Sequence, residues 1–255
     1  MSAGRTAATL TAVSLLAAGC GGGGDDGSNE SKETLTVLAA SSLTNVFGEL
    51  EQTYEEEHPG VDVQLTFDSS STLAEQVVQG APADVLATAD EETMQIVVDE
   101  GLAGVPIEFA RNELILVTPP DNPGDVQAIE DLDSGDVAYG VCVLAAPCGA
   151  ASQKLLGLVD VTAEPVTEED NVRDVLTKVS TGEVDAGLVY VSDAQAAGDD
   201  VEPIEVPESD HALNSDVIAP LADAADPGLT QDWVDLVTSG TGQQALQDYG
   251  FLPAS

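Results

Sequence analysis

The fold of this chain of 255 residues is limited most by the order of its apolar segments. Short apolar runs, typical of buried or half-buried strands, alternate with longer segments in which apolar residues recur at helical spacing. The first pair is the run 35–39, followed by a segment that carries Val46, Leu50 and Tyr54 and ends before Pro59. A regular alternation of this kind predicts an α/β fold with mainly parallel strands and flanking helices.

The same alternation continues to the C-terminus. The predicted strands share short apolar cores and comprise residues 35–39, 61–67, 83–87, 114–117, 137–143 and 186–191. Helices are predicted between them, among others at 150–156 and 171–181, and two amphipathic helices around Trp233 and Leu246 close the chain. In open α/β sheets, ligands bind at the carboxyl ends of the strands, where loops enter helices. A binding site is therefore expected at the strand–helix junctions.

Charge excludes several classes of function. The chain has 47 Asp and Glu but only six Lys and Arg, which gives a formal net charge of −41. Such a surface does not bind nucleic acid through a basic patch, nor anionic lipid headgroups. Two His and three Cys leave almost nothing for a His/Cys zinc site, so no metal cofactor is expected. The acidic residues are interspersed with regularly spaced apolar residues, which indicates a folded chain rather than a disordered one.

The N-terminal residues indicate export. Residues 6–18 form an apolar segment of about 13 residues, too short to span a bilayer, and the only preceding positive side chain is Arg5. The segment ends in Leu-Ala-Ala-Gly-Cys, which resembles a bacterial lipoprotein signal ending at Cys20. We predict a signal peptide at 1–20, a lipid on Cys20 and a flexible tether at 21–33, which would anchor the protein to the outer face of the bacterial cytoplasmic membrane. A plain secretory signal is the alternative.

Export also bears on the two remaining cysteines. Cys142 and Cys148 lie six positions apart, and in an oxidising compartment such a pair is expected to form a disulfide. The chain-entropy model gives a loop of this length roughly 2 kcal/mol of stabilisation. Two free thiols or a redox pair remain alternatives, although the spacing is not that of a Cys-x-x-Cys motif.

Serines occupy two predicted strand–helix junctions. Ser41-Ser42 follows the first strand, and Ser69-Ser70-Ser71 follows the second. Hydroxyls at such positions cap helices, and the neighbouring free N–H groups bind anions. Each serine could serve only as a cap, but two junctions of the same chemistry favour an anion site.

Around these junctions the sequence resembles the periplasmic molybdate-binding proteins of molybdate ABC transporters. The similar segments follow one order and spacing from about residue 35 to residue 251 and are VLAASSLTN at 37–45, FDSSSTLA at 67–74, GAPADV at 80–85, AD at 89–90, VC at 141–142, PCG at 147–149, EDNVR at 169–173, GLVYVSD at 187–193 and YGF at 249–251. The serine segments together with GLVYVSD are the most specific of these. The resemblance covers nearly all of the chain that follows the predicted tether.

The resemblance implies a fold and a function. The fold would be the two-lobed periplasmic-binding-protein fold of type II, with residues 34–112 and 217–255 in lobe 1 and residues 113–216 in lobe 2, and with chain crossings near Asn112 and Asp216. The ligand would be molybdate, with tungstate as a second ligand, held in the cleft between the lobes. The protein would be a monomer without enzymatic activity, and it would deliver its ligand to a membrane permease.

The resemblance also implies the ligand-binding residues. They are the hydroxyl and N–H groups of Ser42 and Ser70, the backbone N–H groups of Cys148 and Val172, and the phenol of Tyr190. All of these groups are neutral donors, and molybdate is a dianion with four acceptor oxygens and no proton. Donors at helix N-termini therefore bind it without a salt bridge. Discrimination between molybdate and the smaller sulfate depends on the size of the cavity, which residue types alone do not show.

Three departures from the family pattern bear on the site. Asp68 lies two positions before Ser70, and it could point to solvent, which we expect, cap a turn, or accept the proton of a phosphate. Arg173 follows Val172, and we expect it to pair with Asp170 or Asp174 rather than with a ligand. The segment 214–219 lacks the tyrosine-proline pattern of the family.

Other functions fit less of the sequence. A serine hydrolase would need a G-x-S-x-G motif and a histidine base, and the motif is missing. A calcium-dependent surface lipoprotein is suggested by acidity and by the acidic residues between 131 and 136, but the downstream calcium ligands are missing. The nearest alternative is the same fold with another ligand, such as sulfate, phosphate or a small organic molecule.

Overall fold

A computed structural model describes residues 32–255 of the chain. The predicted signal peptide, the lipidation site Cys20 and residues 21–31 of the predicted tether lie outside the described residues.

Within residues 32–255 the chain forms eleven strands and eight α-helices. The strands are β1 (Glu33–Ala40), β2 (Val61–Asp68), β3 (Val85–Thr88), β4 (Ile107–Asn112), β5 (Leu114–Thr118), β6 (Tyr139–Cys142), β7 (Thr167–Glu169), β8 (Ala186–Tyr190), β9 (Glu202–Ile204), β10 (Asn214–Pro220) and β11 (Leu252–Pro253). The helices are α1 (Thr44–Glu57), α2 (Ser70–Val78), α3 (Glu91–Asp99), α4 (Pro147–Leu158), α5 (Val172–Ser180), α6 (Val191–Ala197), α7 (Pro227–Thr238) and α8 (Gly240–Asp248). None of these helices has the length and apolar character needed to cross a bilayer.

The strands form two sheets, and each sheet is mixed. In the six-stranded sheet the order is β11-β4-β10-β3-β1-β2, and β1 runs parallel to β2 and β3. In the five-stranded sheet the order is β7-β6-β8-β5-β9, and β6 runs parallel to β7 and β8. All other pairings are antiparallel. The α/β fold with two lobes is thus confirmed, whereas the prediction of mainly parallel sheets is wrong.

Two strands that the sequence pattern did not predict account for most of the difference. β4 and β10 pair with each other, from Asn214 opposite Asn112 onward, and β10 also pairs antiparallel with β3. Both strands carry polar residues among the apolar ones, so no apolar run marks them. Asp216, predicted as the second crossing between lobes, lies inside β10.

Each sheet has its own apolar core, as the burial of helix stripes on sheet faces requires. On one face of the six-stranded sheet, α1 and α7 meet through aromatic side chains. Trp233 packs edge-on against Phe47 and Tyr54, with ring centroids 5.6 and 5.5 Å apart. A separate buried cluster formed by residues of the five-stranded sheet and its helices includes Leu116, Leu155 and Val175. These cores fix the helix N-termini that follow the parallel strands β1, β2, β6 and β7.

Candidate functional site

One cavity is lined by the carboxyl ends of strands from both sheets. The lining residues are Ala40, Ser41, Ser42, Asp68, Ser69, Ser70, Ala89, Pro147, Cys148, Asn171, Val172 and Tyr190. All five ligand-binding residues implied by the resemblance are therefore brought together around one space. The position agrees with the expected location of ligands in α/β sheets.

Ser42 contributes an unpaired hydroxyl. It lies in the 3₁₀ turn Ser41–Leu43 that joins β1 to α1, and its side chain is 3% exposed. Its Oγ has no hydrogen-bond partner among residues 32–255. A buried hydroxyl without a partner costs about 1–3 kcal/mol, so this group is suited to a ligand that supplies an acceptor.

Ser70 presents its donors from the start of α2. Its Oγ accepts a hydrogen bond from the Ala89 N–H at 2.9 Å, and this bond leaves the hydroxyl proton free to be donated. As the first residue of the helix, Ser70 also has an N–H group without an intrahelical acceptor. Both groups lie at the positive end of the helix dipole, which favours an anion.

The five-stranded sheet presents two backbone donors in the same way. Cys148 is the second residue of α4, and Val172 is the first residue of α5. The Asn171 side chain caps α5 by accepting from the N–H groups of Arg173 and Asp174, at 3.0 and 3.1 Å. The cap leaves the Val172 N–H free, so it remains available to the cavity.

A disulfide joins Cys142 to Cys148, as the sequence predicted. It connects the last residue of β6 to the first turn of α4. The intervening loop is tightly packed, since a Cβ atom on Gly149 would lie 2.0 Å from the Val143 carbonyl oxygen. Disulfide and packing together fix the position of the Cys148 N–H.

Tyr190 ends β8 and is 1% exposed. Its Oη accepts a hydrogen bond from Asn214 Nδ2 at 2.7 Å. Burial raises the pKa of the Tyr190 phenol well above its usual value, and the carboxylates of Asp216 and Asp90 raise it further. The phenol therefore stays neutral and keeps its proton at physiological pH. Sequence reasoning missed Asn214, because β10 carried no strand signal and only the structure shows what its side chains contact.

The lining contains no Lys, Arg or His, and Asp68 is its only charged residue within the described chain. Asp68 is half-buried at the end of β2, and its Oδ1 accepts from the Ser69 N–H at 2.7 Å. Its carboxylate thus contacts the backbone at the turn into α2, while the residue stays partly exposed to solvent.

Arg173 does not line the cavity, as expected. The prediction that it pairs with Asp170 or Asp174 is wrong. Its Nε forms an ion pair with Oδ1 of the fully buried Asp193 at 2.8 Å. Burial raises the pKa of Asp193 to about 6, and the neighbouring Arg173 opposes this shift. Arg173 Nη2 also donates to Asn45 Oδ1 at 2.6 Å and so links α5 to α1. Asp193 is far from Arg173 in sequence, so helix spacing could not reveal the pair.

The acidic segment 131–136 is engaged by backbone groups. Asp131 Oδ2 accepts from the N–H groups of Gln127 and Ala128, and Asp133 Oδ1 accepts from those of Thr162 and Ala163. Within residues 32–255 no group of three or more His, Cys, Asp or Glu side chains is arranged to hold a metal ion. The carboxylates of this segment thus serve as turn and loop caps.

Comparison with known proteins defines the class. Residues 35–252 match the family model of bacterial extracellular solute-binding proteins. The chain belongs to this family, whose members bind solutes outside the cytoplasm.

Particular relatives narrow the class and confirm the resemblance found in the sequence. The chain is 38% identical over 226 residues to the molybdate-binding protein ModA of Mycobacterium tuberculosis strain H37Rv, covering 88% of this chain and 87% of that protein. It is 31% identical to the putative ABC transporter substrate-binding lipoprotein YvgL of Bacillus subtilis, covering 96% and 95%. The periplasmic molybdate-binding protein of Azotobacter vinelandii has the same fold, with a TM-score of 0.77, 18% identity and coverage of 87% of this chain and 100% of that one.

Proposed function

We propose that this protein captures molybdate, and tungstate with it, outside the cytoplasm and delivers it to an ABC permease. The observation that carries the proposal is the set of unpaired neutral donors around one cavity without a cation, above all the buried Ser42 hydroxyl. The relatives called molybdate-binding proteins support the choice of ligand.

The proposed contacts follow from the free donors of the cavity. Ser42 and Ser70 would donate from hydroxyl and backbone N–H, Cys148 and Val172 from backbone N–H, and Tyr190 from its phenol. Molybdate offers four acceptor oxygens and carries no proton, so every contact is a donor–acceptor pair. Hydrogen bonds to a charged group are worth more than neutral ones, about 1.5–3 kcal/mol each. No resident cofactor is needed for this binding.

Ligand binding would couple to closure of the two lobes. The donors come from both sheets, so an oxyanion held by all of them would favour the closed arrangement by a hinge motion. We propose that one lobe comprises residues 34–112 with 214–255 and the other residues 113–213, since all of β10 pairs in the six-stranded sheet, which moves the second crossing from the predicted residue 216 to residue 214. The closed monomer would dock on its permease, held near the membrane by the lipid on Cys20.

A thermal unfolding panel tests the ligand. The purified protein without the N-terminal segment 1–31 is heated with molybdate, tungstate, sulfate, phosphate or calcium added separately. A ligand at 100 times its Kd stabilises by about 2.7 kcal/mol, which raises Tm by roughly 5–10 °C for a protein of this size. Shifts with molybdate and tungstate alone are expected. A shift with calcium alone would overturn the proposal.

A second ligand class is favoured by one observation. Asp68 lines the cavity, and a carboxylate oxygen there is the acceptor that the proton of HPO₄²⁻ requires. Stabilisation by phosphate and not by molybdate would establish this second function. Sulfate is the control for phosphate, because it carries the same charge as HPO₄²⁻ but no proton. Stabilisation by phosphate and not by sulfate would therefore show that the site recognises the proton.

Substitution of Ser42 tests the site itself. Ser42→Ala removes a buried donor, so molybdate affinity should fall by about tenfold or more. Ser209→Ala is the matched control, because Ser209 is also buried but donates to the Val206 carbonyl outside the cavity. Isothermal titration of both variants should show a loss of affinity in the first only. Equal losses would indicate a general effect on the fold.

A further inference from the structure

We propose that Asn214 is a positioning residue that fixes the Tyr190 hydroxyl as a donor into the cavity and so selects oxyanions that carry no proton. The inference rests on the proposed function in that it concerns oxyanion binding by the same cavity. Asn214 does not line the cavity, and it acts through Tyr190.

The orientation of the Asn214 amide is set by its neighbours. The side chain is buried at 7% exposure, and Nδ2 donates to the Ala89 carbonyl at 2.9 Å and to Tyr190 Oη at 2.7 Å. A carbonyl oxygen can only accept, so the NH₂ group, not the amide oxygen, must face Ala89. Both protons of the NH₂ group are then engaged, one with each partner.

The fixed amide determines what Tyr190 can do. Its Oη accepts from Asn214, and this is the only hydrogen bond of the phenol within residues 32–255. The phenol proton must therefore point away from Asn214. Since Tyr190 is buried and lines the cavity, the remaining direction for this proton is an acceptor in the cavity.

The backbone of Ala89 connects this arrangement to a second hydroxyl, that of Ser70. The Ala89 N–H donates to Ser70 Oγ at 2.9 Å, while the Ala89 carbonyl accepts from Asn214. One residue after β3 thus connects a hydroxyl at the start of α2 with a phenol at the end of β8. Both hydroxyls accept one hydrogen bond from a protein N–H group, and both keep a proton to donate.

This arrangement has a consequence for selectivity. An oxyanion such as HPO₄²⁻ must donate its own proton, and a Tyr190 phenol oriented as a donor favours an acceptor oxygen over that proton, which leaves Asp68 as the carboxylate acceptor of the lining. An unpaired buried polar group is costly, and sites of this kind discriminate strongly between ligands that differ by one hydrogen-bonding group. Asn214 would therefore favour molybdate, tungstate and sulfate over phosphate.

Two variants change the orientation of the Tyr190 phenol in different ways. Asn214→Asp places a carboxylate beside Tyr190, which would then donate to that carboxylate and turn a lone pair to the cavity. Molybdate affinity should fall by about tenfold, and the ratio of molybdate to phosphate affinity should fall by a similar factor. Asn214→Ala removes the restraint without reversing it, and the expected loss is about threefold to tenfold. Isothermal titration with molybdate, sulfate and phosphate measures all of these constants.

Coupling to Tyr190 separates positioning from a merely structural role. In a Tyr190→Phe background, the uncharged change Asn214→Ala should cause no further loss of molybdate affinity, since there is no hydroxyl left to orient. Asn112→Asp is the matched control, because Asn112 is also buried and its Nδ2 donates to the Ser192 hydroxyl outside the cavity. This control should leave the selectivity ratio unchanged. Additive losses in the double variant would overturn the inference.

A measurement without ligand distinguishes failure of this inference from failure of the proposed function. The ¹³Cζ resonance of Tyr190 in the ligand-free protein, assigned by its loss in Tyr190→Phe, should shift in Asn214→Ala and not in Asn112→Asp. If the wild type bound none of the oxyanions while this shift was present, the proposed function would fail and the orientation of Tyr190 would stand. An unshifted resonance would overturn the positioning role whatever the ligand.

Discussion

Asp68 places a negative charge at a cavity that we propose binds a dianion. In the wild type, Asp68 Oδ1 accepts a hydrogen bond from the Ser69 N–H. Asp68→Asn removes the negative charge and keeps an amide oxygen that can accept the same bond. Charges a few ångströms apart near a protein surface interact by about 1 to a few kcal/mol. We therefore expect molybdate to bind about threefold to tenfold more tightly in this variant, as measured by isothermal titration.

The control for Asp68 lies on the same strand. Asp62 is also on β2, paired with Thr34 at the opposite end of β1 from the cavity. Asp62→Asn makes the same change of charge and should leave the affinity nearly unchanged. If Asp68→Asn instead abolished phosphate binding, Asp68 would be an acceptor for a protonated ligand.

At the residue scale, the sequence predicted which residues line the cavity but not the contacts that orient them. The five donors were carried over from motifs, and the structure places all five on one cavity. Asn214 and the backbone of Ala89 were given no role, because what they do depends on contacts between distant segments of the chain. Arg173 was assigned the wrong partner for the same reason, since Asp193 reaches it through the fold and not through helix spacing.

At the scale of elements, the disulfide connects β6 to the N-terminus of α4. We expect the double variant Cys142→Ser with Cys148→Ser to lose about 2 kcal/mol of stability, the order given by the chain-entropy model for so short a loop. Molybdate affinity should fall about threefold to tenfold, because the Cys148 N–H is then less well fixed before binding. Thermal unfolding and titration, with and without reductant, measure both effects.

The disulfide prediction has an internal control. Reductant should reproduce the affinity of the double variant in the wild type and change nothing in the variant itself. If stability fell while affinity stayed constant, the packing around Gly149 alone would be sufficient to position the Cys148 N–H.

β10 carries a buried carboxyl without a partner. Asp216 is fully buried, and neither of its oxygens has a hydrogen-bond partner within residues 32–255. Burial raises its pKa well above the usual value, and Asp193, Asp90 and Glu108 raise it further. The folded state therefore holds a proton that the unfolded state has released, so this group lowers the free energy of unfolding as pH rises above about 4.

Because the raised pKa of Asp216 destabilises the folded protein at neutral pH, removing its charge should stabilise the protein in a pH-dependent way. Asp216→Asn should raise the free energy of unfolding at pH 7 by about 1–3 kcal/mol and change it much less at about pH 3, where Asp216 is mostly protonated in both states. Denaturant unfolding at the two pH values measures the difference.

The matched control for Asp216 is a buried carboxylate that has partners. Asp84 accepts from the N–H groups of Thr36 and Ala225 through its two oxygens. Asp84→Asn should therefore destabilise the protein. Destabilisation by Asp216→Asn at pH 7 would show that its carboxylate has a partner that offsets its burial.

Element types were predicted better than their pairing. Apolar periodicity located β1, β2, β3, β5, β6 and β8 and every α-helix of residues 32–255 except α6, since each of these buries a continuous run or stripe. It missed β4 and β10, whose partly polar sequences are buried only in the assembled sheet. The antiparallel pairings of the six-stranded sheet involve these missing strands and could not be predicted without them, whereas the antiparallel β5–β8 pairing joins two strands that were predicted.

At the scale of the whole molecule, a dianion must approach a strongly acidic protein. The formal net charge is −41, and the cavity lining offers no cation to offset the resulting repulsion. Charges on a protein surface act over about 30 Å at 0.01 M ionic strength but only about 10 Å at 0.1 M. Long-range repulsion should therefore slow association at low salt.

This charge predicts an unusual salt dependence. The association rate constant for molybdate should rise severalfold between 0.01 and 0.2 M NaCl, as measured by stopped-flow fluorescence, whereas steered association of opposite charges shows the reverse. The dissociation rate constant should change little, because bound ligand is enclosed and poorly screened by salt. An uncharged osmolyte at equal osmolarity is the control. An association rate that falls with salt would mean that local dipoles at the helix N-termini dominate the approach, and the acidity would then not affect capture.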